Sequence, residues 1–199
     1  EEIIDAPAHP VREDLGQRKL PLTREIYIDR DDFREEANKK YKRLVLGKRV
    51  RLRNAYVIQA DTVVRDAEGA VVEVHAHTVP DTLGRDPADG VKPKGVIHWV
   101  SASRGVQATV RLYDRLFNTE SPDRSDAELL SQLNPASLTV VSGAWIEPGL
   151  AAASPEQSFQ FEREGYFVAD RYDHSEETPV FNRTIGLRDT WSNGQGGGQ

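Results

Sequence analysis

Short stretches in which apolar and polar residues alternate recur along this chain, and such alternation predicts β-strands with one buried face. The clearest case is the run Arg-Val-Arg-Leu-Arg that begins at Arg49. A period of two places Arg49, Arg51 and Arg53 on one face of the strand. Val50 and Leu52 then point toward the core. The pattern therefore predicts a strand that buries its aliphatic residues and presents three guanidinium groups.

Similar runs, separated by turn-forming residues, predict about ten short strands. Two short helices are expected between them: one through residues 33–37, capped by an aspartate of the 29–32 segment, and one after a capping box formed by Ser125 and Glu128. This content predicts the all-β class. The predicted strands lie at residues 3–4, 22–29, 49–53, 54–64, 70–79, 96–101, 106–117, 138–146, 158–169 and 179–190.

The strands divide naturally into two small β-barrels that meet near residues 101–106. We predict a first barrel over residues 1–104 and a second over 105–191, between which terminal strands can cross. The tail, residues 192–199, has low complexity and is expected to be disordered.

The composition is that of an ordinary soluble globular protein, with 38% hydrophobic and 29% charged residues. No apolar run approaches the ~20 residues of a membrane span, so no membrane contact is expected. The absence of cysteine excludes disulfides and thiolate metal sites and fits a cytoplasmic location. Because methionine is also absent, even at position 1, we expect a fragment of a longer protein.

Basic charge is concentrated in residues 39–53, which we call the basic segment. It holds eight of the 26 Lys and Arg residues and no acid, so the rest of the chain has 18 bases against all 32 acids. Such a run is often only a solvated surface, and an arginine-rich strand can also discourage edge pairing. Arginine rather than lysine favours recognition, because its planar fork fits base edges and phosphates. The basic segment is therefore a candidate reader of RNA bases.

No pattern in the chain predicts catalysis. His75 and His77 share a strand face at a spacing that a metal could use, but no further ligand accompanies them, and surface histidines are the simpler interpretation. Glu162 and Glu164 form a pair of the kind that chance produces in a chain with 32 acids. There is no glycine-rich phosphate loop, nucleophile elbow or Walker-type lysine. We predict no catalytic residue, metal site or cofactor in this segment.

Several blocks of the chain are long enough to be compared with known families. They include Tyr-Lys-Arg-Leu-Val-Leu-Gly-Lys and Phe-Asn-Arg-Thr, and they lie at residues 23–38, 41–48, 50–56, 94–101, 159–167 and 181–191. Over residues 9–191, the chain resembles the C-terminal region of bacterial glutaminyl-tRNA synthetase, a class I enzyme.

The resemblance implies two β-barrels of the kind also found in ribosomal protein L25, which here would bind the anticodon loop of tRNA(Gln). It also implies an upstream Rossmann domain, absent from this chain, that uses ATP to attach glutamine to tRNA. The intact protein is thus expected to be a glutamine–tRNA ligase, with no DNA partner. Two alternatives remain: a nonbacterial-type glutamyl-tRNA synthetase, and a stand-alone L25-like module bound to ribosomal RNA.

The resemblance also implies roles for residues at two anticodon positions. Arg43, with Lys42 beside it, corresponds to the reader of the third base. Arg51, with Arg53 near it, corresponds to the reader of the first base. Thr190 lies in the C-terminal block that closes the first-base pocket.

For the middle uridine, the resemblance implies contacts from Gln160 and Arg163, near the turn at His9 and Pro10. The chain departs from the family's pattern at Val11, where Asn is expected. It departs again at Lys40, where Gln is expected.

Residues 159–167 set a geometric condition on this assignment. The phenylalanines of the segment share a period-two face that we expect in the core, so Gln160 points outward. On a regular strand, Gln160 and Arg163 would lie on opposite faces. We therefore predict a β-bulge, or an end of regular pairing, between Phe161 and Gly165, with Gly165 supplying the backbone freedom. The two side chains should then converge on one pocket near the turn described above.

Overall fold

The computed structural model describes residues 1–124 and 128–187, and the regular structure of these residues is almost entirely β. They contain no α-helix, only five short 3₁₀ turns, at Glu13–Leu15, Arg30–Asp32, Pro122–Arg124, Leu129–Gln132 and Pro148–Leu150. The predicted all-β class is confirmed. The strands are β1 (Glu2–Pro7), β2 (Gln17–Leu22), β3 (Ile26–Tyr27), β4 (Phe33–Arg34), β5 (Leu44–Val45), β6 (Arg49–Leu52), β7 (Val57–Arg65), β8 (Val71–Thr78), β9 (Val96–Ile97), β10 (Val100–Ser101), β11 (Val106–Tyr113), β12 (Leu138–Ile146), β13 (Ser158–Phe161), β14 (Gly165–Ala169) and β15 (Val180–Gly186).

The helix expected through residues 33–37 is wrong. Phe33 and Arg34 form strand β4, and only the 3₁₀ turn Arg30–Asp32 precedes them. Phe33 is 5% exposed and belongs to the core, where pairing with β5 satisfies its backbone. Tertiary pairing has overridden a weak local helix preference, because an isolated helix this short is not stable.

The second expected helix is also only a 3₁₀ turn, Leu129–Gln132. Ser125, the first residue of the predicted capping box, lies outside the described residues. Glu128 is the N-cap residue but makes no side-chain capping hydrogen bond. Pro135 follows too closely for an α-helix to develop here.

The chain divides into two compact units, the first being Glu1–Gly105 and the second beginning at Val106. The first unit contains a four-stranded sheet in the order β8-β7-β6-β9 and three two-stranded pairs, β1-β2, β10-β3 and β4-β5. The predicted strands at residues 54–64 and 70–79 correspond to β7 and β8, which form a hairpin around the turn at residues 66–69. The core of this unit includes Val50, Leu52 and Ile97, each at most 1% exposed.

The second unit contains a five-stranded sheet in the order β12-β11-β15-β14-β13. All its pairs are antiparallel except β11 with β15. Its core is built around aromatic rings. Phe161 stacks on Phe167 with ring centroids 4.2 Å apart, and Phe159 meets Phe181 edge to face at 6.0 Å.

None of the sheets formed by residues 1–124 and 128–187 closes on itself, so the two barrels stay a prediction. The domain ranges 1–104 and 105–191 stay predictions as well. The predicted disordered tail, residues 192–199, lies outside the described residues. No helix in the described part of the chain is long and apolar enough to cross a membrane.

Candidate nucleic-acid interface

The basic segment folds around strand β6, where the predicted alternation is confirmed. Val50 and Leu52 are buried, and Arg49 and Arg51 are half-buried on the other face. The strand ends at Leu52, but Arg53 is half-buried like the other two arginines, and its N–H donates to the Ile97 carbonyl of β9 at 2.9 Å. Arg53 begins a turn, and the next residue, Asn54, has a positive φ. The Arg53 carbonyl accepts a hydrogen bond from the indole N–H of the buried Trp99.

Arg43 lies directly before β5, and Asp32 lies directly before β4. These strands pair in parallel with Phe33 opposite Leu44, which brings the two charged side chains together. Arg43 Nε lies 2.9 Å from Asp32 Oδ1 in an ion pair, and Nη1 donates to the Asp31 carbonyl at 3.3 Å. The Asp32 side chain is 2% exposed and the Arg43 side chain 31% exposed. One edge of the guanidinium is thus held by the protein.

Tyr41 binds the same 3₁₀ turn. Its hydroxyl donates to the Asp31 carbonyl at 2.7 Å, and the Arg34 guanidinium carbon lies 4.8 Å from the centre of its ring. Burial raises the pKa of the Tyr41 hydroxyl, so it remains a neutral donor at physiological pH. The backbone that carries Arg43 is therefore fixed on both sides of Lys42, whose side chain is exposed.

Gly95 places this backbone next to β6. A Cβ on Gly95 would collide with the carbonyl oxygen of Lys42 and would lie 2.8 Å from its carbonyl carbon. The Gly95 carbonyl in turn accepts a hydrogen bond from Arg51 N at 3.0 Å. Only glycine fits between the segment that carries Arg43 and the strand that carries Arg51.

The loop at residues 80–94, which forms no strand, binds the side chain of Arg51. Arg51 Nη1 donates to the Thr82 carbonyl at 2.6 Å, and Nη2 donates to the Arg85 carbonyl. Asp86 Oδ1 lies 3.5 Å from Nη2. With 17% of its side chain exposed, Arg51 is engaged by the protein itself in this structure.

The same loop also binds Arg49. Arg49 Nη1 lies 2.8 Å from a carboxylate oxygen of Asp89, and Nε lies 3.3 Å from Gln59 Oε1. The Val91 N–H and then Arg49 hold the pKa of the Asp89 carboxyl below its usual range. The two arginines of β6 therefore differ from Arg43, because aspartates and carbonyls of one surface loop cover them.

Lysines surround this group of arginines. Four of them are exposed, and none makes an ion pair with a residue in the described part of the chain: Lys39, Lys40, Lys42 and Lys48. They are point charges available to a polyanion.

Gln160 and Arg163 lie on a hairpin whose regular pairing ends where predicted. Strands β13 and β14 pair up to Phe161 opposite Gly165, and residues 162–164 form the turn between them. Arg163 has φ +64° and Gly165 has φ +140°, so the backbone reverses here. The predicted end of pairing is confirmed, and so is the exposure of Gln160.

The remaining predicted site residues are less informative. Pro10 is exposed in a bend next to His9, whose Nδ1 accepts the Val11 and Arg12 N–H groups at 3.1 and 3.0 Å. Thr190 lies outside the described residues. The contacts assigned to bases by resemblance, from Gln160, Arg163, Pro10 and Thr190, stay predictions.

The pair His75 and His77 has a structural explanation. Each ring nitrogen lies 2.7 Å from a carboxylate, His75 from Glu73 and His77 from Asp61. Among the residues that the structure describes, no group of three or more His, Asp or Glu side chains could hold a metal ion.

The sequence analysis missed a charge network in the second unit. Asp170 accepts hydrogen bonds from Asn182 Nδ2 at 2.6 Å, from Arg111 Nη1 at 3.0 Å, and from the N–H groups of Tyr172 and Asp173. These donors, Asn182 foremost, hold the pKa of the Asp170 carboxyl at about 2. The network fixes the turn that follows β14.

Four further residues position or cover the arginines of the basic segment and were not predicted from the sequence: Asp32, Gly95, Asp86 and Asp89. No local pattern distinguishes these aspartates from the other acids of the chain. Gly95 lies in a block that the sequence analysis used, but its close approach to Lys42 is a tertiary contact that spacing does not reveal.

Comparison with known proteins gives consistent matches. Residues 1–79 and 96–170 match two family profiles, both described as "tRNA synthetases class I (E and Q), anti-codon binding domain". The chain is 56% identical over 191 residues to a glutamine–tRNA ligase of Serratia proteamaculans, covering 96% of this chain and 34% of that protein. It is 55% identical over 184 residues to one of Vibrio parahaemolyticus, covering 92% and 33%. The chain therefore spans about a third of the length of these relatives.

Proposed function

The chain belongs to the family of anticodon-binding domains of class I tRNA synthetases for glutamate and glutamine, and we propose that it reads the anticodon loop of tRNA(Gln). One observation carries the proposal: 56% identity to a glutamine–tRNA ligase over 96% of the chain. The relatives reported above are ligases, which supports this function over the ribosomal-RNA alternative.

Catalysis belongs, in this proposal, to a part of the longer protein outside this chain. That part is an upstream Rossmann domain that binds ATP, activates glutamine and transfers it to tRNA in the cytoplasm. The proposal rests on the fraction of the relatives that the chain covers, 34% of the Serratia protein. This chain contributes the discrimination between tRNAs.

We assign to Arg43 the discrimination between the tRNAs for glutamine and those for glutamate. The genetic code gives glutamine the anticodons CUG and UUG, and glutamate CUC and UUC, so only the third base separates the two sets. Guanine offers O6 and N7 to a bidentate arginine, and cytosine presents an amino donor instead. Nε is paired with Asp32 and Nη1 donates one hydrogen bond to the Asp31 carbonyl, so Arg43 keeps further donors on Nη1 and Nη2 for such an edge.

The experiment measures binding of two RNA hairpins to the full chain by fluorescence anisotropy. The loop of one carries CUG and that of the other carries CUC. We expect the first to bind at least ~10-fold more tightly, as one good arginine–guanine contact provides. Arg43→Ala should bring the two affinities together.

Lys39→Ala is the matched control, because it removes an exposed charge from the same segment. It should weaken both hairpins about equally and leave their ratio intact. Equal binding of the two hairpins by the unaltered chain would contradict the proposal and would favour non-specific RNA binding, whereas tighter binding of the CUC hairpin would favour the glutamate side of the family.

A further inference from the structure

Asp32 is unusual in this chain because its carboxylate is buried with a cation. It is the only carboxylate among the residues classed as buried in the described part of the chain, at 2% exposure. Its partner is Arg43 Nε at 2.9 Å. Removing a carboxylate from water is costly unless a cation and hydrogen bonds compensate it, and such a pair often stabilises no more than apolar residues of the same size. Stability alone therefore does not account for a charge at this position.

The geometry of the pair restricts the guanidinium. Asp32 holds Nε, and the neighbouring Asp31 carbonyl holds Nη1, so two of the three nitrogens of a rigid planar group are fixed. The plane of the group is then determined. The hydrogen bond and ion pair that hold Arg43 among residues 1–124 and 128–187 involve Nε and Nη1, and Nη2 is the third nitrogen.

Asp32 is itself held firmly. Its N–H donates to the Asp29 carbonyl at 2.9 Å, closing the 3₁₀ turn Arg30–Asp32. Phe33 and Leu44, the next residues of each strand, are buried opposite each other in β4 and β5. The carboxylate is thus attached to the core on one side and to the arginine on the other.

We propose that Asp32 is a positioning residue for base recognition: it fixes the plane of Arg43 so that the free edge of the guanidinium meets the third anticodon base. This inference rests on the proposed function. An unconstrained arginine would satisfy any acceptor, whereas a fixed fork discriminates between base edges.

Asp32→Asn tests the proposal, because asparagine keeps the size of the side chain and one oxygen acceptor but removes the charge. We expect the ratio of CUG to CUC hairpin affinities to fall ~10-fold, mainly by weaker CUG binding. Asp29→Asn is the matched control: it removes an exposed carboxylate from the same turn and should leave the ratio unchanged.

Asp32→Glu keeps the charge but lengthens the side chain, so it separates positioning from electrostatics. If the plane of Arg43 matters, this variant also loses discrimination. Thermal melting of each variant identifies the temperatures at which the chain is folded, and binding is measured below them.

The double variant Asp32→Asn with Arg43→Ala distinguishes the two proposals. Loss of discrimination by Arg43→Ala, with no further loss on adding Asp32→Asn, supports positioning. An additive loss, or an equal loss for both hairpins with Asp32→Asn, overturns it and leaves the proposed function standing. No effect of Arg43→Ala on the ratio overturns both the role of Arg43 and the positioning that depends on it.

Discussion

At the scale of single residues, the arginines of the basic segment are distinguished by what already binds them. Arg43 has one edge held by Asp32 and Asp31, whereas the Arg51 fork is occupied by the carbonyls of Thr82 and Arg85. In the proposed function, Arg43 contacts a base without giving up these bonds. Arg51 can reach a base only if the loop releases it, so its role at the first base stays a prediction.

Asp170 gives a residue-scale prediction about pH. Its folded pKa of about 2 lies below the usual 3.8, so the ionised carboxylate stabilises the fold above about pH 4, and that stabilisation is lost as the pH falls through about 2. Asp170→Asn should therefore lower the free energy of unfolding by about 1–2 kcal/mol near neutral pH, since part of the group is solvated, and by less at about pH 3.

Urea unfolding at the two pH values measures this difference. Asp123→Asn, an exposed aspartate of the same unit, is the control and should change little. A deficit for Asp170→Asn that stays constant between neutral pH and about pH 3 would show that the charge is not responsible.

At the scale of elements, alternation predicted the strands that bury every second residue, because burial of one face fixes both register and exposure. Strand β6 is such a case. The β7–β8 hairpin formed where strands were predicted, but its burial does not alternate regularly. The predictions that were wrong concern segments whose structure depends on residues distant in the sequence. Residues 33–34 became a strand because β5 pairs with them, and the Asp32–Arg43 contact follows from that pairing. No local spacing in the sequence could predict either.

The β13–β14 hairpin gives a prediction at this scale. Gly165 has φ +140°, and a Cβ there would collide with the Ile185 carbonyl oxygen of the neighbouring strand β15. Gly165→Ala should lower the free energy of unfolding by about 2 kcal/mol or more, because both the backbone conformation and the pairing with β15 are disturbed.

Gly149→Ala provides the comparison, since a Cβ at that position meets nothing within 4 Å. Thermal and urea unfolding of the two variants should differ clearly. Equal stability would mean that the hairpin tolerates a side chain at its turn, and the backbone account of the turn would then fail.

At the scale of the whole molecule, charge is distributed unevenly, with a net charge of −6 despite the basic segment. Local charge governs encounters with RNA because fields decay over ~8–10 Å at physiological salt. The acidic remainder therefore does not prevent binding, but it discourages unspecific contact elsewhere on the surface.

The loop at residues 80–94 gives the basic segment built-in counterions. Asp86 and Asp89 lie where salt anions would otherwise gather around Arg51 and Arg49. If RNA displaces them, as the proposed function requires for contacts by these arginines, they recover cations from solution, which offsets part of the cation release from RNA. The affinity should therefore fall less steeply with salt than the number of basic contacts implies.

The double variant Asp86→Asn with Asp89→Asn should steepen the dependence of log affinity on log salt by up to ~0.7 per arginine freed. Asp81→Asn, in the same loop and without an arginine partner among the described residues, should leave the slope as it is. Unchanged slopes for both variants would mean that these arginines never contact phosphate.

A protein with such internal anions has its contact charges partly neutralised until a ligand displaces the loop. If the proposed function is correct, polyanions that offer charge without the matching bases should therefore compete poorly for this surface.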